Sequence, residues 1–302
     1  MFKGTYTAIV TPFDAHKKID ESALKRLIEE QIQAGIDGIV PCGTTGESPT
    51  LDEKERALVI RTAIELAHQH GKGKVKVIAG TGSNSTQHTI ELTQRAKDLG
   101  ADAALVVVPY YNKPTQEGLY QHFRAVAEQG RLPVMLYNVP SRTSCDLLAA
   151  TVVRLQHDVE NIVAIKEAAG STERIADLRA KVREDFSILS GDDALTLPFL
   201  AAGADGVVSV ASNVLPREMA ALVTAGLSGD FSAARQQHLK LREFFSALFV
   251  EANPIPVKAV LAILGKIKNE LRLPLVQASE STQMLLRKVL HSLGMELNKS
   301  VT

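Results

Sequence analysis

Lys166 stands in the run Ile162-Val163-Ala164-Ile165-Lys166-Glu167-Ala168-Ala169-Gly170. A short apolar run with turn signals on both sides reads as a strand buried on both faces of a parallel sheet. An ammonium group is costly to remove from water and rarely belongs there. Burial favours the neutral amine. A neutral, positioned amine can attack a carbonyl carbon and form a Schiff base. The alternative is a structural lysine paired with Glu167 or Asp192.

Other groups suited to such chemistry follow other apolar runs. Gly43-Thr44-Thr45-Gly46-Glu47-Ser48 carries hydroxyls, and Pro109-Tyr110-Tyr111-Asn112 carries phenols. Tyr137-Asn138-Val139-Pro140-Ser141-Arg142-Thr143 brings a phenol and a guanidinium, and Ser190-Gly191-Asp192-Asp193 follows another run. A tyrosine beside a lysine amine can relay protons, or be a core aromatic with a satisfied hydroxyl. The fork of Arg142 suits a substrate carboxylate, although most loop arginines are surface groups. Thr44 and Thr45 could be turn or cap residues. Thr50-Leu51-Asp52-Glu53, however, reads as a capping box with Thr50 as the cap. Asp192 and Asp193 read as caps of the following helix.

These residues need a scaffold that brings strand ends together. Apolar runs fall at 7–10, 38–40, 75–79, 104–108, 134–137, 162–166, 186–189 and 206–210. Helical spacing fills the intervals. One helix starts at Asp20 with Leu24, Leu27, Ile28 and Ile32 on one face. Eight alternating units predict an α/β protein, a (β/α)8 TIM barrel over 1–225; a doubly wound sheet is the alternative, but eight consecutive units fit closure better. Periodicity at 231–250, 257–264 and 282–293 predicts a C-terminal helical extension over 226–302. In such a barrel the active site lies at the C-terminal ends of the strands, where the chemical residues above are expected to converge.

Composition narrows the function. The 302 residues are 45% hydrophobic and 23% charged, with 34 basic and 34 acidic side chains and no net charge. That balance argues against a nucleic-acid binder, which needs a basic excess. Two cysteines and eight scattered histidines suggest neither a disulfide framework nor a metal site. Gly80-Thr81-Gly82-Ser83-Asn84-Ser85 imitates a dinucleotide fingerprint but lacks its third glycine. No cofactor is expected. No run reaches the length of a membrane span, and the first eleven residues lack a signal-peptide core. The expectation is a protein of the cytoplasm.

Three motifs occur together in order and spacing: Gly43-Thr44-Thr45-Gly46-Glu47, Tyr137-Asn138-Val139-Pro140-Ser141-Arg142-Thr143 and Ile165-Lys166-Glu167-Ala168. With them the chain resembles the dihydrodipicolinate synthase family, one of the pyruvate-dependent class I aldolases that also include N-acetylneuraminate lyase. The resemblance runs from Gly4-Thr5-Tyr6-Thr7-Ala8 to Asn253-Pro254-Ile255-Pro256-Val257-Lys258. It implies condensation of pyruvate with L-aspartate 4-semialdehyde, the first committed step towards lysine through diaminopimelate.

Within that resemblance Lys166 forms the imine and Tyr137 shuttles protons through Thr44 to Tyr111 of a neighbouring subunit. Thr45 binds the pyruvate carboxylate, Arg142 holds the aldehyde's carboxylate, and the backbone at Gly191 and Val208 lines the pyruvate pocket. A homo-oligomer is implied, a homotetramer built from dimers. Some members bind lysine as an inhibitor at a cleft matched here by Ser48, Pro49, Glu53, Arg56, Asn84, His88 and Tyr110. Sensitive members carry a glutamate where His88 stands and commonly a histidine at Arg56. The expectation is therefore weak or absent inhibition. A same-fold rival is an aldolase for sialic acid or keto-deoxy sugar acids, against which Arg142 speaks. A non-catalytic keto-acid sensor is a further alternative, and it has no need of a proton relay.

Overall fold

The computed structural model describes residues 2–71 and 73–297, so the last five residues of the predicted extension lie outside it. Eight strands are β1 (Gly4–Ala8), β2 (Gly38–Val40), β3 (Lys76–Gly80), β4 (Ala103–Val107), β5 (Val134–Asn138), β6 (Ile162–Glu167), β7 (Ser187–Ser190) and β8 (Gly206–Ser209). All pair in parallel, in chain order, and β1 closes on β8. This is the predicted (β/α)8 barrel.

Helices fill the intervals: α1 (Glu21–Gln33), α2 (Glu53–His70), α3 (Thr86–Leu99), α4 (Gln116–Gly130), α5 (Pro140–Thr143) and α6 (Ala149–Asp158). The series continues with α7 (Thr172–Lys181), α8 (Thr196–Ala201), α9 (Pro216–Leu227), α10 (Phe231–Ala247), α11 (Ile255–Ile263) and α12 (Glu280–Ser292). The C-terminal helices pack in sequence, α10 on α9 and α12 on both α10 and α11.

Side chains alternate across each strand. One set fills the barrel interior, including Tyr6, Ala8, Val40, Leu105, Met135, Tyr137, Ala164, Leu189 and Val208. The other set packs outward against the helices, where Leu24, Leu27, Ile28 and Ile32 of α1 are buried as their spacing predicts. The observed β1 starts three residues before the predicted run because Gly4, Thr5 and Tyr6 belong to it. The polarity of Thr5 interrupts the apolar pattern, yet it is buried, as is Thr7, whose Oγ1 donates to Gln31 Oε1 at 2.6 Å.

The capping box of α2 is displaced from the predicted one. Asp52, not Thr50, is its cap: Asp52 Oδ1 accepts from the Glu55 amide at 2.9 Å, and the Glu55 carboxylate accepts from the Asp52 amide at 3.1 Å. Thr50 closes a preceding 3-10 turn instead, its hydroxyl donating to the Glu47 carbonyl at 3.0 Å. Asp can replace Thr as a cap because either offers a side-chain oxygen to the free amides of the first turn.

Candidate active site

The strand ends open into a cavity of about 370 Å³ lined by Lys166, Tyr137, Thr44, Thr45, Arg142 and Gly191, among others. Residues from four of the predicted strand ends thus meet where the barrel rule places them, while the 109–112 loop does not line the cavity.

Register explains the central pair. Tyr137 of β5 stands directly beside Lys166 of β6, which stands beside Leu189 of β7. All three face inward, and the Lys166 Nζ lies 4.2 Å from the Tyr137 ring centroid. Lys166 is only 6% exposed, and among the described residues its amine has no ion-pair or hydrogen-bond partner. Burial pulls it down to about 8; the Asp193 carboxylate opposes this and the Arg142 charge adds to it. At pH 7 an amine with that value is neutral in about a tenth of molecules.

The structural alternative for Lys166 does not hold. Glu167 points outward, as strand alternation requires, and accepts from Arg174 Nε at 2.8 Å and Asn138 Nδ2 at 3.0 Å. Asp192 caps its own turn, accepting from the Ala194 amide at 2.8 Å. Gly191 leaves room for the lysine: a Cβ there would lie 2.8 Å from Ala168 Cβ and 3.1 Å from Lys166 Cε.

Tyr137 is buried, and desolvation pushes its phenol up to about 12, against the pull of Arg142. It therefore carries its proton throughout the neutral range. Thr44 is half-buried and Thr45 almost wholly buried, both on the cavity wall. Arg142 is exposed at the mouth, and its Nη2 donates to the Asn253 carbonyl at 3.5 Å.

Two expected residues, Val208 and Asn84, lie elsewhere, and Tyr111 is the residue assigned to a neighbour's site. Tyr111 is 89% exposed, has φ 76° and does not line this cavity. Val208 is buried in the barrel interior, and Val210, two residues on, lines the wall in its place. Asn84 is absent from the lining of the neighbouring cleft, which includes Ser48, Pro49, Glu53, Arg56, His88 and Tyr110 and measures about 420 Å³. The Asn84 carbonyl instead accepts from Asn112 Nδ2 at 2.9 Å. Ser48 and Gly82 are shared between cleft and cavity. Arg56 turns its guanidinium onto the Ser48 carbonyl at 3.2 Å and the Gly80 carbonyl at 2.6 Å.

Sequence reasoning overlooked the groups that hold the Thr44–Thr45 loop. Glu47, left-handed at φ 52° and 2% exposed, accepts from Lys258 Nζ at 2.5 Å and from the Arg272 amide at 3.0 Å. Thr11 Oγ1 donates to the Gly46 carbonyl at 2.8 Å. Asn253 Nδ2 donates to Thr45 Oγ1 at 3.0 Å. The signal for Lys258 was present, since it stands alone in an otherwise apolar helix, the same anomaly that marks Lys166. Asp193 was read as a helix cap. It is buried between strand ends instead, accepting from Ser209 Oγ and the Val210 and Ala211 amides. Burial pushes it up to about 6 despite those bonds.

Among the described residues no group of His, Cys, Asp and Glu is placed to hold a metal ion, and no helix is long and apolar enough to cross a membrane. The chain is 51% identical over 290 residues to the 4-hydroxy-tetrahydrodipicolinate synthase of Geotalea daltonii, covering 96% of this chain and 98% of the relative. The crystal structure of dihydrodipicolinate synthase from Aquifex aeolicus superposes with TM-score 0.95 at 48% identity, covering 99% and 100% of the two chains. A pyruvate complex of the Acinetobacter baumannii dihydrodipicolinate synthase matches with TM-score 0.94 at 43% identity, over 98% and 100%. The model of the Dihydrodipicolinate synthetase family matches residues 1–293. The chain belongs to the dihydrodipicolinate synthase family.

Proposed function

We propose that this chain condenses pyruvate with L-aspartate 4-semialdehyde through a Schiff base on Lys166. The observation that carries the reading is the buried lysine amine, unpaired and lowered to about 8, inside the strand-end cavity. The family membership and the pyruvate complex of the Acinetobacter baumannii relative agree with it. Lys166 Nζ attacks the keto carbon of pyruvate, and loss of water leaves a protonated imine. Removal of a methyl proton gives an enamine, whose carbon attacks the aldehyde. Tyr137 supplies the proton that the resulting alkoxide takes up. The amine of the second substrate then displaces Lys166 and closes the ring, so one water leaves overall.

Thr45 holds the pyruvate carboxylate and Arg142 the carboxylate of the aldehyde, with the backbone at Gly191 lining the pocket. Thr44 links Tyr137 to Tyr111 of a neighbouring subunit. The exposure of Tyr111 outside its own chain's cavity supports that assignment. The chain then acts as a homo-oligomer, a homotetramer built from dimers. Two free, buried cysteines fit a reducing cytoplasm. Arg56, a cation lining the neighbouring cleft, and His88 in place of an anion support weak or absent inhibition by lysine.

Incubation with pyruvate and borohydride followed by peptide mapping tests the reading. A single reduced pyruvyl adduct on Lys166 is expected. No adduct, or adducts scattered over surface lysines, sinks it. Arg142→Ala should raise the KM for the aldehyde far more than it slows adduct formation. Equal effects on both would favour a sugar-acid aldolase.

A further inference from the structure

Asn253 comes from the chain segment between α10 and α11, far in sequence from every strand, yet it lines the cavity and is only 6% exposed. It touches both groups assigned to the substrate carboxylates. Its side-chain Nδ2 donates to Thr45 Oγ1 at 3.0 Å, and its backbone carbonyl accepts from Arg142 Nη2 at 3.5 Å. Its Oδ1 is buried without a hydrogen-bond partner.

A hydroxyl has one proton and two lone pairs. An amide N–H can only donate, so the Thr45 oxygen must accept in this contact. The hydroxyl proton is then free for another acceptor. No acceptor for it occurs among the described hydrogen bonds, and Thr45 is 3% exposed on the wall of the cavity. A carboxylate bound there has acceptors only and needs such a proton. An amide turned the other way would satisfy Oδ1 by taking the Thr45 proton, leaving the threonine nothing to donate. A buried acceptor left unpaired is uncommon in a purely structural amide and calls for an explanation.

We propose that Asn253 is a positioning residue for pyruvate: its Nδ2–H fixes the Thr45 hydroxyl as a donor aimed at the substrate carboxylate. The inference rests on the Thr45 assignment above and adds a second residue that acts through it. It also predicts a division within one residue. The side chain serves pyruvate, whereas the link to Arg142 is a backbone carbonyl that side-chain substitution leaves in place.

Steady-state kinetics of the full-length protein test this with Asn253→Ala, Asn253→Asp, Thr45→Val and the double variant Asn253→Ala/Thr45→Val. Loss of one neutral hydrogen bond should raise the pyruvate KM about 10-fold in Asn253→Ala. Asn253→Asp, which offers an acceptor where a donor stood, should raise it further, to about 100-fold, because a charged partner roughly doubles the free energy involved. In both, kcat at saturating pyruvate and the KM for the aldehyde should stay within about 3-fold of the parent, a split that general loosening of the site would not produce. In the Thr45→Val background, Asn253→Ala should add less than about 2-fold, because residues acting as a unit are not additive. Asn253→Ala also keeps the test open should the aspartate variant fail to fold.

Multiplying, independent effects of Asn253→Ala and Thr45→Val overturn the inference and leave the Thr45 assignment standing. A pyruvate KM unchanged in Asn253→Ala or in Asn253→Asp does the same. A pyruvate KM unchanged in Thr45→Val overturns both.

Discussion

Among the described residues two lysines are buried, and they differ in one respect. Lys258 lies on α11 with no exposed surface, and its Nζ donates to Glu47 Oε1 at 2.5 Å and to the Thr11 carbonyl at 2.9 Å. Lys166 lies on β6, 6% exposed, with the Tyr137 ring as its neighbour and, among the described residues, no acceptor. Burial pulls both amines down to about 8. For Lys258 the carboxylate of Glu47 opposes that pull across a direct bond, so the amine is committed to an anion and one backbone carbonyl. Lys166 has only the more distant Asp193 field on its side. Burial marks a lysine as unusual, but the missing partner distinguishes the amine that is available for chemistry.

The largest expected effect breaks Lys166 itself. Lys166→Met should lower kcat by at least ~10⁴-fold, as loss of a covalent nucleophile does. It should at the same time stabilise the fold. The folded pKa of Lys166, about 8, lies below the ordinary 10.5, so the folded chain binds fewer protons than the unfolded chain between those values. Stability therefore rises with pH across that window, and the buried amine destabilises the fold at neutral pH by on the order of 3 kcal/mol. Thermal unfolding at pH 7 should show Lys166→Met melting above the parent; a lower melting point would mean that the amine has a structural partner after all.

Lys258→Met should do the opposite. It strands a buried carboxylate, and losing one partner of a buried pair costs about 3–5 kcal/mol. Adding Glu47→Gln should restore part of that loss, because the uncompensated charge is gone. Below its melting temperature the variant should still give the pyruvyl adduct on Lys166. If adduct formation disappears while the fold persists, the two lysines are not separate in function.

Tyr137→Phe sharpens the contrast more gently. It removes a proton donor without touching the amine, so kcat should fall about 10²- to 10⁴-fold while the borohydride adduct is retained. The smallest effect is electrostatic. The rate of adduct formation should rise about tenfold per pH unit up to about 8 and then level off, following the neutral amine. Arg142 lowers the Lys166 value, so Arg142→Ala should move that inflection to higher pH. An unchanged inflection would show that burial alone sets it.

Much of this was legible before any coordinates. Alternation of apolar runs and helical spacing implied eight βα units in a parallel sheet, and eight consecutive units fit closure into a barrel better than a doubly wound sheet. Lys166, Tyr137, Thr44, Thr45, Arg142 and Gly191 could all be picked out, since each stands at the end of an apolar run. Less legible were features whose partners lie far along the chain. Thr5 hid the start of β1, because nothing local shows that its polar side chain is buried. Glu47 looked like a loop carboxylate until Lys258, 211 residues on, was seen to neutralise it. Asn253 joined the site from the C-terminal extension, across 208 residues.

By itself the sequence determined the periodicity, hence the closed sheet, the inward direction of Lys166 and the family. Only the tertiary structure decided which of two buried lysines stays unpaired and which residue orients Thr45. Periodicity is local, repeating within a turn or a strand, and survives in one dimension. Pairing of buried charges depends on which distant segments the packed barrel presses together, and no local pattern encodes it.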